Sequence, residues 1–200
     1  MEKLTWDEVN RAAKENRIVL LPIGSTEQHG YHLPLDTDTC IAYEMAYRAA
    51  LQVGALVAPA LPFGESSHHM GFSGTITLRS DVFVEVVKDI LKSLIHHGFR
   101  RVVIVNGHGG NSAALSQVIS DIHRETGKVV AVAEWFRLIP GSFARNIVQS
   151  AYHSDETETS LALAVDSMRV RVEKAVKEVP KSPSRFIQYD LYAPGPKITY

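Results

Sequence analysis

Residues 25–39 read STEQHGYHLPLDTDT and place Glu27, His29 and Asp38 in one short, helix-poor segment. In an extended stretch the side chains at i and i+2 share a face, so Glu27 and His29 can reach one centre together. Asp38 returns from the far side of the turn, and its carboxylate, with two oxygens, can bridge two ions. Carboxylates and imidazoles without thiolate suit first-row divalent metals, with zinc, manganese and iron equally served. The segment reads as half of a dinuclear site.

Two further motifs supply partners. NGHGGN, residues 106–111, follows a β-branched run, so His108 is expected at the carboxyl end of a strand, on the same sheet edge as the first motif. Its glycines suit a tight turn that lets a ligand approach the backbone closely. The alternative, a phosphate cradle, lacks both the Lys-Ser/Thr of a P-loop and GxGxxG spacing. HSDETETS, residues 153–160, heads a helical stretch from which Glu158 could reach the metals. Asp155 and Glu156 also suit a plain acidic cap, because carboxylates favour helix N-termini. His153, just ahead, is a proton carrier by type, since an imidazole near its ordinary pKa gives and accepts protons at neutral pH.

Ser66 and His69, in the loop sequence GESSHHMGFSGT, and Trp135, after the last strand, are candidates to line a substrate pocket. The competing readings are loop hydrogen bonding for His32, His68 and His69, and core packing for Trp135 and Phe136. Asn106 and Asn111 either orient a loop or substrate or simply form the turn. His96, His97 and His123 read as helix-surface residues, and Cys40 as a buried structural thiol.

The elements that must position these groups alternate. Thr5 and Glu8 make a capping-box pattern for a first helix. Residues 18–23 form a buried strand, 39–51 a helix and 55–58 a short strand. Residues 61–77 form a loop too long for a simple connector, as expected of a segment that serves a site. Ser80 caps a helix over residues 81–97, and residues 101–105 and 128–133 are strands. After the third motif, Leu161, Leu163, Ala164 and Met168 are expected to face inward. Near-continuous apolar strands alternating with helices predict a parallel sheet covered on both faces. The Pro-, Lys- and Ser-rich stretch 179–196 reads as irregular. A new strand begins at residues 197–200, so the last element is expected to be missing or completed elsewhere.

Composition bounds the class. The 200 residues, 45% hydrophobic and 22% charged, describe one ordinary soluble domain with room for a core. A net charge of -1 leaves no basic footprint for nucleic acid and no membrane-surface patch. The N-terminus lacks a signal-peptide core, and a single cysteine excludes an internal disulfide framework, so a cytoplasmic location is expected. The partners expected are a small-molecule substrate and further copies of the chain.

With these motifs in place, the chain resembles the creatininase (creatinine amidohydrolase) family through GSTEQHGYHLPLDTD, GESSHHMGFSGT, NGHGGN and HSDETETS. The resemblance implies an α/β three-layer sandwich with a mostly parallel central sheet, residues 1–200 forming a single metal-dependent hydrolase domain. It also implies a homo-oligomer, hexameric in the family. By the same resemblance Glu27 and His108 hold one metal, His29 and Glu158 the other, Asp38 bridges them, and His153 is the catalytic histidine.

The sequence also departs from the family pattern. Creatininases carry an aromatic-acidic pair after the histidine of NGH, and that acid serves a metal; here Gly109 and Gly110 stand there. Their tryptophan-containing substrate loop is replaced by Val148, Gln149 and Ser150, and their Ala-Gly after the catalytic histidine by Ser154 and Asp155. These changes argue against creatinine itself as substrate. Relatives with NGHGGN resemble pyrimidine-intermediate deformylases of flavin or deazaflavin synthesis, mycofactocin-type peptidases and inosose-ring hydrolases.

The activity expected is hydrolysis of a non-peptide C–N bond in a small cyclic or formyl amide. Two divalent ions (Zn, Mn or Fe) would supply hydroxide, and His153 would protonate the leaving nitrogen. The alternatives are such a deformylase, such a peptidase, or a non-catalytic metal-binding module.

Overall fold

The computed structural model describes residues 1–139 and 153–177; residues 148–150 and 179–200, read above from sequence alone, lie outside the described residues. Four parallel strands, β1 (Val19–Ile23), β2 (Leu56–Val57), β3 (Val102–Asn106) and β4 (Val130–Glu134), form one sheet in the order β2-β1-β3-β4. Each strand is followed by irregular chain or a helix on its way to the next, as parallel connections require.

Period-two alternation sorts the two faces of the sheet. Val19, Leu21 and Ile23 of β1 join Val102 and Ile104 of β3 on one face, against Phe83, Val87 and Leu91 of α3 (Ser80–His96) and Leu115, Val118 and Ile122 of α4 (Ser112–Thr126). Ala12 and Ala13 of α1 (Trp6–Lys14) close the same layer. On the opposite face, Leu20 and Val105 meet Ala42, Ala46 and Ala50 of α2 (Thr37–Val53), a stripe at i, i+4 and i+8. Small side chains let α2 lie close to the sheet. The result is an α/β sandwich of three layers with a parallel central sheet. Each fully buried Leu or Ile contributes roughly 1.5–3 kcal/mol relative to exposure, so Leu21, Ile23 and Ile104 anchor the strands that carry the site.

Local signals act as the sequence suggests at α1, where Thr5 Oγ1 accepts from the Glu8 N–H and the Glu8 carboxylate accepts from the Thr5 N–H at 2.7 Å. Two boundaries differ. Ser80 is the first residue of α3, and Arg79 occupies the cap without a side-chain hydrogen bond. Helix α2 begins at Thr37, so Asp38 lies in its first turn and not in the preceding loop. That helix end, rich in unpaired N–H groups, favours a carboxylate there.

The last described helix, α6 (Glu156–Asp166), follows the single turn α5 (Trp135–Leu138). It turns a different face inward from the one expected. Glu158 is buried and Leu161, Ala162 and Val165 are partly buried, whereas Leu163, Ala164 and Met168 are exposed. Positions 158, 161, 162 and 165 form one helical stripe. The contiguous apolar run 161–165 left the choice of face open, and the face that carries Glu158 decided it. Among the described residues no helix is long and apolar enough to cross a membrane.

Ile23, Asn106 and Glu134 stand in register at the carboxyl ends of β1, β3 and β4. From β1 the chain moves to β2 on one side and then returns to β3 on the other. The gap between the ends of β1 and β3 is therefore the switch point at which an open parallel sheet leaves a crevice.

Candidate metal centre

All six chemistry-bearing groups expected from sequence, Glu27, His29, Asp38, His108, His153 and Glu158, converge on that crevice. Glu27 and His29 sit on the loop leaving β1, His108 two residues past β3, Asp38 on the first turn of α2, and His153 and Glu158 at the head of α6. Glu27 and His29 are fully buried, and Asp38, His108 and Glu158 nearly so.

Asp38 lies at the middle of the cluster. Its Oδ1 is 3.0 Å from His29 Nε2, and its Oδ2 is 3.1 Å from His108 Nδ1. Glu27 Oε1 lies 3.3 Å from the same His108 nitrogen, and Glu158 Oε2 lies 3.9 Å from His29 Nε2. Gly107 permits this approach, because a Cβ there would stand 2.2 Å from the Asp38 carbonyl oxygen.

Backbone carbonyls fix which nitrogen of each imidazole faces the cluster. His29 Nδ1 is 3.1 Å from the Glu27 carbonyl oxygen and His108 Nε2 is 3.0 Å from that of Glu65. A carbonyl only accepts, so those nitrogens carry protons, and Nε2 of His29 and Nδ1 of His108 turn toward carboxylates. A nitrogen held 3 Å from a carboxylate oxygen needs a proton or a cation between them. Orienting carbonyls of this kind are what metal-binding histidines use.

The protonation states express the same demand. Burial works against charge on His29, yet Asp38, Glu158 and Glu27 carry its pKa up to about 10. Burial likewise opposes charge on His108, and Glu27 and Asp38 raise it well above the usual imidazole value. Burial would raise Glu27, but His108, His29 and His69 hold it well below the ordinary carboxylate range. Asp38 is also lowered, against burial, by His29 and His108. Glu158, by contrast, is pushed up to about 8, first by burial.

Glu27 Oε1 and Asp38 Oδ2 are buried and make no hydrogen bond. Unbonded buried carboxylate oxygens are costly unless a cation completes them. Ligand atoms of Glu27, His29 and Asp38 lie within 4.8 Å of one another, as do those of His29, His153 and Glu158, of Glu27, His69 and His153, and of Glu27, His68 and His108. These carboxylate and imidazole donors fit divalent cations by number, chemistry and spacing.

His153 packs between the rings of His29 and His69, with centroids 4.4 and 4.5 Å away. Its Nε2 lies 2.6 Å from the Gln28 carbonyl oxygen and so carries the proton, which leaves the Nδ1 lone pair facing Glu27 Oε1 at 3.5 Å. Burial, then the charge on His29, lowers its pKa to about 3. His69 is set by Gln28, whose Oε1 accepts from the Gly30 N–H and whose amide nitrogen lies 3.1 Å from His69 Nδ1. The proton of His69 is then on Nε2, 3.6 Å from Glu27 Oε1.

The head of α6 is shaped for the site. Asp155 caps the helix by accepting from the Thr157 and Glu158 N–H groups at 2.9 Å, while Glu156 is exposed. Ser154, with φ of 53°, takes the left-handed conformation and donates its N–H to Glu158 Oε2. A non-glycine residue held there costs of order 1–3 kcal/mol and marks a position fixed by its surroundings. His32 ties the helix to the first loop through a 2.8 Å contact with Thr159 Oγ1.

The remaining candidates divide. Ser66 is fully buried, shares a short hydrogen bond with Ser25 and lies 3.4 Å from His108 Nε2. Trp135 is buried, and its indole N–H donates to the Gly107 carbonyl at 3.2 Å, bracing the turn that holds His108. Asn106 and Asn111 are loop clamps. Asn106 Oδ1 accepts from the His108 N–H, and Asn111 joins the Glu65 N–H to the Gly24 carbonyl at 3.0 Å each. Cys40 is half-buried, beside Arg169. Sequence reasoning passed over Gln28 and Ser25, whose only signal was adjacency to Glu27.

This geometry has known relatives. The chain is 30% identical to creatinine amidohydrolase of Pseudomonas putida over 98% of its own length and 82% of that protein. It is 35% identical to the mycofactocin precursor peptide peptidase of Mycobacterium tuberculosis H37Rv over 78% of the chain and 61% of the relative, so it spans less than two thirds of that protein. A crystal structure of creatinine amidohydrolase superposes with a TM-score of 0.85 at 28% identity, covering 96% of this chain and 82% of that one. The sequence model of the creatinine amidohydrolase family matches residues 2–196, which take in every group of the buried cluster, and the chain belongs to the creatininase family.

Proposed function

We propose that this chain is a hydrolase that cleaves a non-peptide C–N bond in a small cyclic or formyl amide with the help of two divalent cations. Glu27 and His108 hold one, His29 and Glu158 the other, and Asp38 lies between them. The observation that carries this reading is that the two oxygens of Asp38 face two different imidazoles, at 3.0 and 3.1 Å. Bound zinc, manganese or iron supplies Lewis acidity, lowering the pKa of water toward ~7 and polarising a carbonyl oxygen.

The residues around this centre do the rest. His153, neutral and with its Nδ1 lone pair turned inward, would receive the proton lost by the attacking water and deliver it to the leaving nitrogen. That role requires the low basicity imposed in the metal-free chain by burial and by the charge on His29 to be relieved when a cation replaces the proton on His29. Gln28 fixes the tautomer for that task by accepting from Nε2. His69, through its Nε2–H, and Ser66, through its hydroxyl, would orient a polar substrate beside the cluster. Burial of the whole cluster excludes bulk water and strengthens each electrostatic contact.

A second reading, a peptidase, is favoured by the 35% identity to the mycofactocin precursor peptidase. One assay separates the two: chain loaded with zinc, manganese or iron is offered cyclic amides, formamides and short peptides, and amine release is measured. Turnover of small amides is expected, with His153→Ala keeping its metal and losing ~10²–10⁴-fold in rate. Cleavage of peptides alone selects the second reading, and no turnover with any ion removes both.

A further inference from the structure

The loop at residues 61–77 brings one more imidazole to the cluster. A ring nitrogen of His68 lies within 4.8 Å of ligand atoms of both Glu27 and His108. The His68 ring stands nearly parallel to that of His108, 7° from coplanar with centroids 5.9 Å apart, and it is half-buried. His68 belongs to the short turn Ser67–His69, whose other histidine packs on it at 4.2 Å and itself faces Glu27.

Position 110, in the turn after β3, cannot offer an equivalent donor. A Cβ at Gly110 would lie 2.3 Å from His108 Nε2 and 2.5 Å from the Glu65 carbonyl oxygen, the two atoms joined in the hydrogen bond that orients His108. That space is filled by the loop backbone, and a side chain at position 110 would break the contact that aims Nδ1. Glu27, His68 and His108 form one donor group, with their ligand atoms all within 4.8 Å of one another. Glu65, two residues upstream of Ser67, contributes the orienting carbonyl. The loop thus meets His108 twice, through the Glu65 carbonyl at Nε2 and through the parallel ring of His68.

We propose that His68 is a protein donor to the cation on the Glu27–His108 side, completing a set of Glu27, Asp38, His108 and His68. The assignment rests on the dinuclear reading above. It makes the loop a metal-anchored segment: filling the site ties residues 61–77 to the exits of β1 and β3, and emptying it removes that tie.

The test uses binding and loop accessibility and not turnover. Purified wild-type chain, His68→Ala and His68→Glu are titrated with zinc against a chelator, loaded with cobalt for visible absorption, and digested with protease with and without zinc. The wild type is expected to hold two ions. His68→Ala should keep one at wild-type affinity and bind the other at least ~10-fold more weakly. Its cobalt spectrum should change, and zinc should no longer protect the loop from nicking. His68→Glu, with a donor of similar reach, should restore the second ion. Two ions at full affinity with an unchanged cobalt spectrum in His68→Ala would remove His68 from the set while leaving the hydrolase reading intact. A defect that His68→Glu does not relieve would mark loop damage and equally overturn the assignment. A wild-type chain that binds fewer than two ions would sink the dinuclear reading itself.

Discussion

The two halves of the buried cluster share Asp38 but are built in different ways. On one side, Glu27 and His108 hang from the exits of β1 and β3, strands in continuous register whose loops are laced by Asn106, Asn111 and the Glu65 carbonyl. On the other, His29 depends on Glu158, which arrives on α6. Among the described residues, polar links between the α6 segment and the first loop and the start of α2 include His32 to Thr159, the Arg171 N–H to the His32 carbonyl, and Arg169 to Asp36. One half is part of the scaffold. The other is brought to it, and its carboxyl is the one whose pKa is raised.

The largest effect should come from the group common to both halves. Asp38→Ala is expected to lose both ions and on the order of 10³-fold or more in rate, about 4 kcal/mol of barrier. Glu158→Gln should lose only the ion on its own side. Metal content measured by mass spectrometry decides this, and two ions retained in Asp38→Ala would dissolve the idea that the halves are joined.

A middle-sized effect follows from protons. In the metal-free chain His29, raised to about 10 from the ordinary 6.5, and His108, also raised, contribute stability that is full below pH 6.5 and fades as pH climbs through their folded values. Glu158, raised from 4.5 to about 8, acts in the same direction across that window. His153, lowered to about 3, and His69, lowered to about 4, act oppositely, adding stability as pH rises toward 6.5. Metal-free stability should therefore peak near the ordinary imidazole value and decline above it. Metal displaces the protons on His29, His108 and Glu158, so the rise in Tm on adding zinc should be greater at about pH 8.5 than at about pH 6. Melting curves with zinc or chelator at both pH values check this, and an equal rise would contradict proton displacement at these groups.

The smallest effect tests the tether. Arg169 reaches both oxygens of Asp36 at 2.7 and 2.8 Å, but both side chains are more than two-fifths exposed. Such a pair contributes about 0–1 kcal/mol. Arg169→Ala should thus lower Tm by only a few degrees and weaken the Glu158-side ion before the other. Loss of the Glu27-side ion first would reverse the contrast between the halves.

Much of this arrangement could be read from residue spacing, because it depends on local rules. A strand followed by Glu-x-His and a strand followed by Asn-Gly-His must present those groups at the carboxyl edge of a parallel sheet. Three kinds of information were hidden. The first is helix phase: with apolar residues contiguous from 161 to 165, no stripe stands out, and Leu163 and Met168 turned outward once Glu158 turned in. The second is anything decided by groups distant in sequence. Position 110 is closed by a carbonyl 45 residues upstream, at Glu65, and the same carbonyl chooses the tautomer of His108. The start of α2 at Thr37 was hidden for a simpler reason, since the LPLDTD run reads equally well as a turn or as a helix entry.

Asn111 has a consequence for how such a domain can diversify. Its single carboxamide joins the Gly24 carbonyl after β1 to the Glu65 N–H at the start of the long loop. An insertion or deletion that shifted either backbone group would strand a buried amide, so length changes are excluded near this knot. Loop length is free to vary only in the outer parts of the loops, beyond the reach of that side chain, while the rim that carries the carboxylates and imidazoles keeps its spacing.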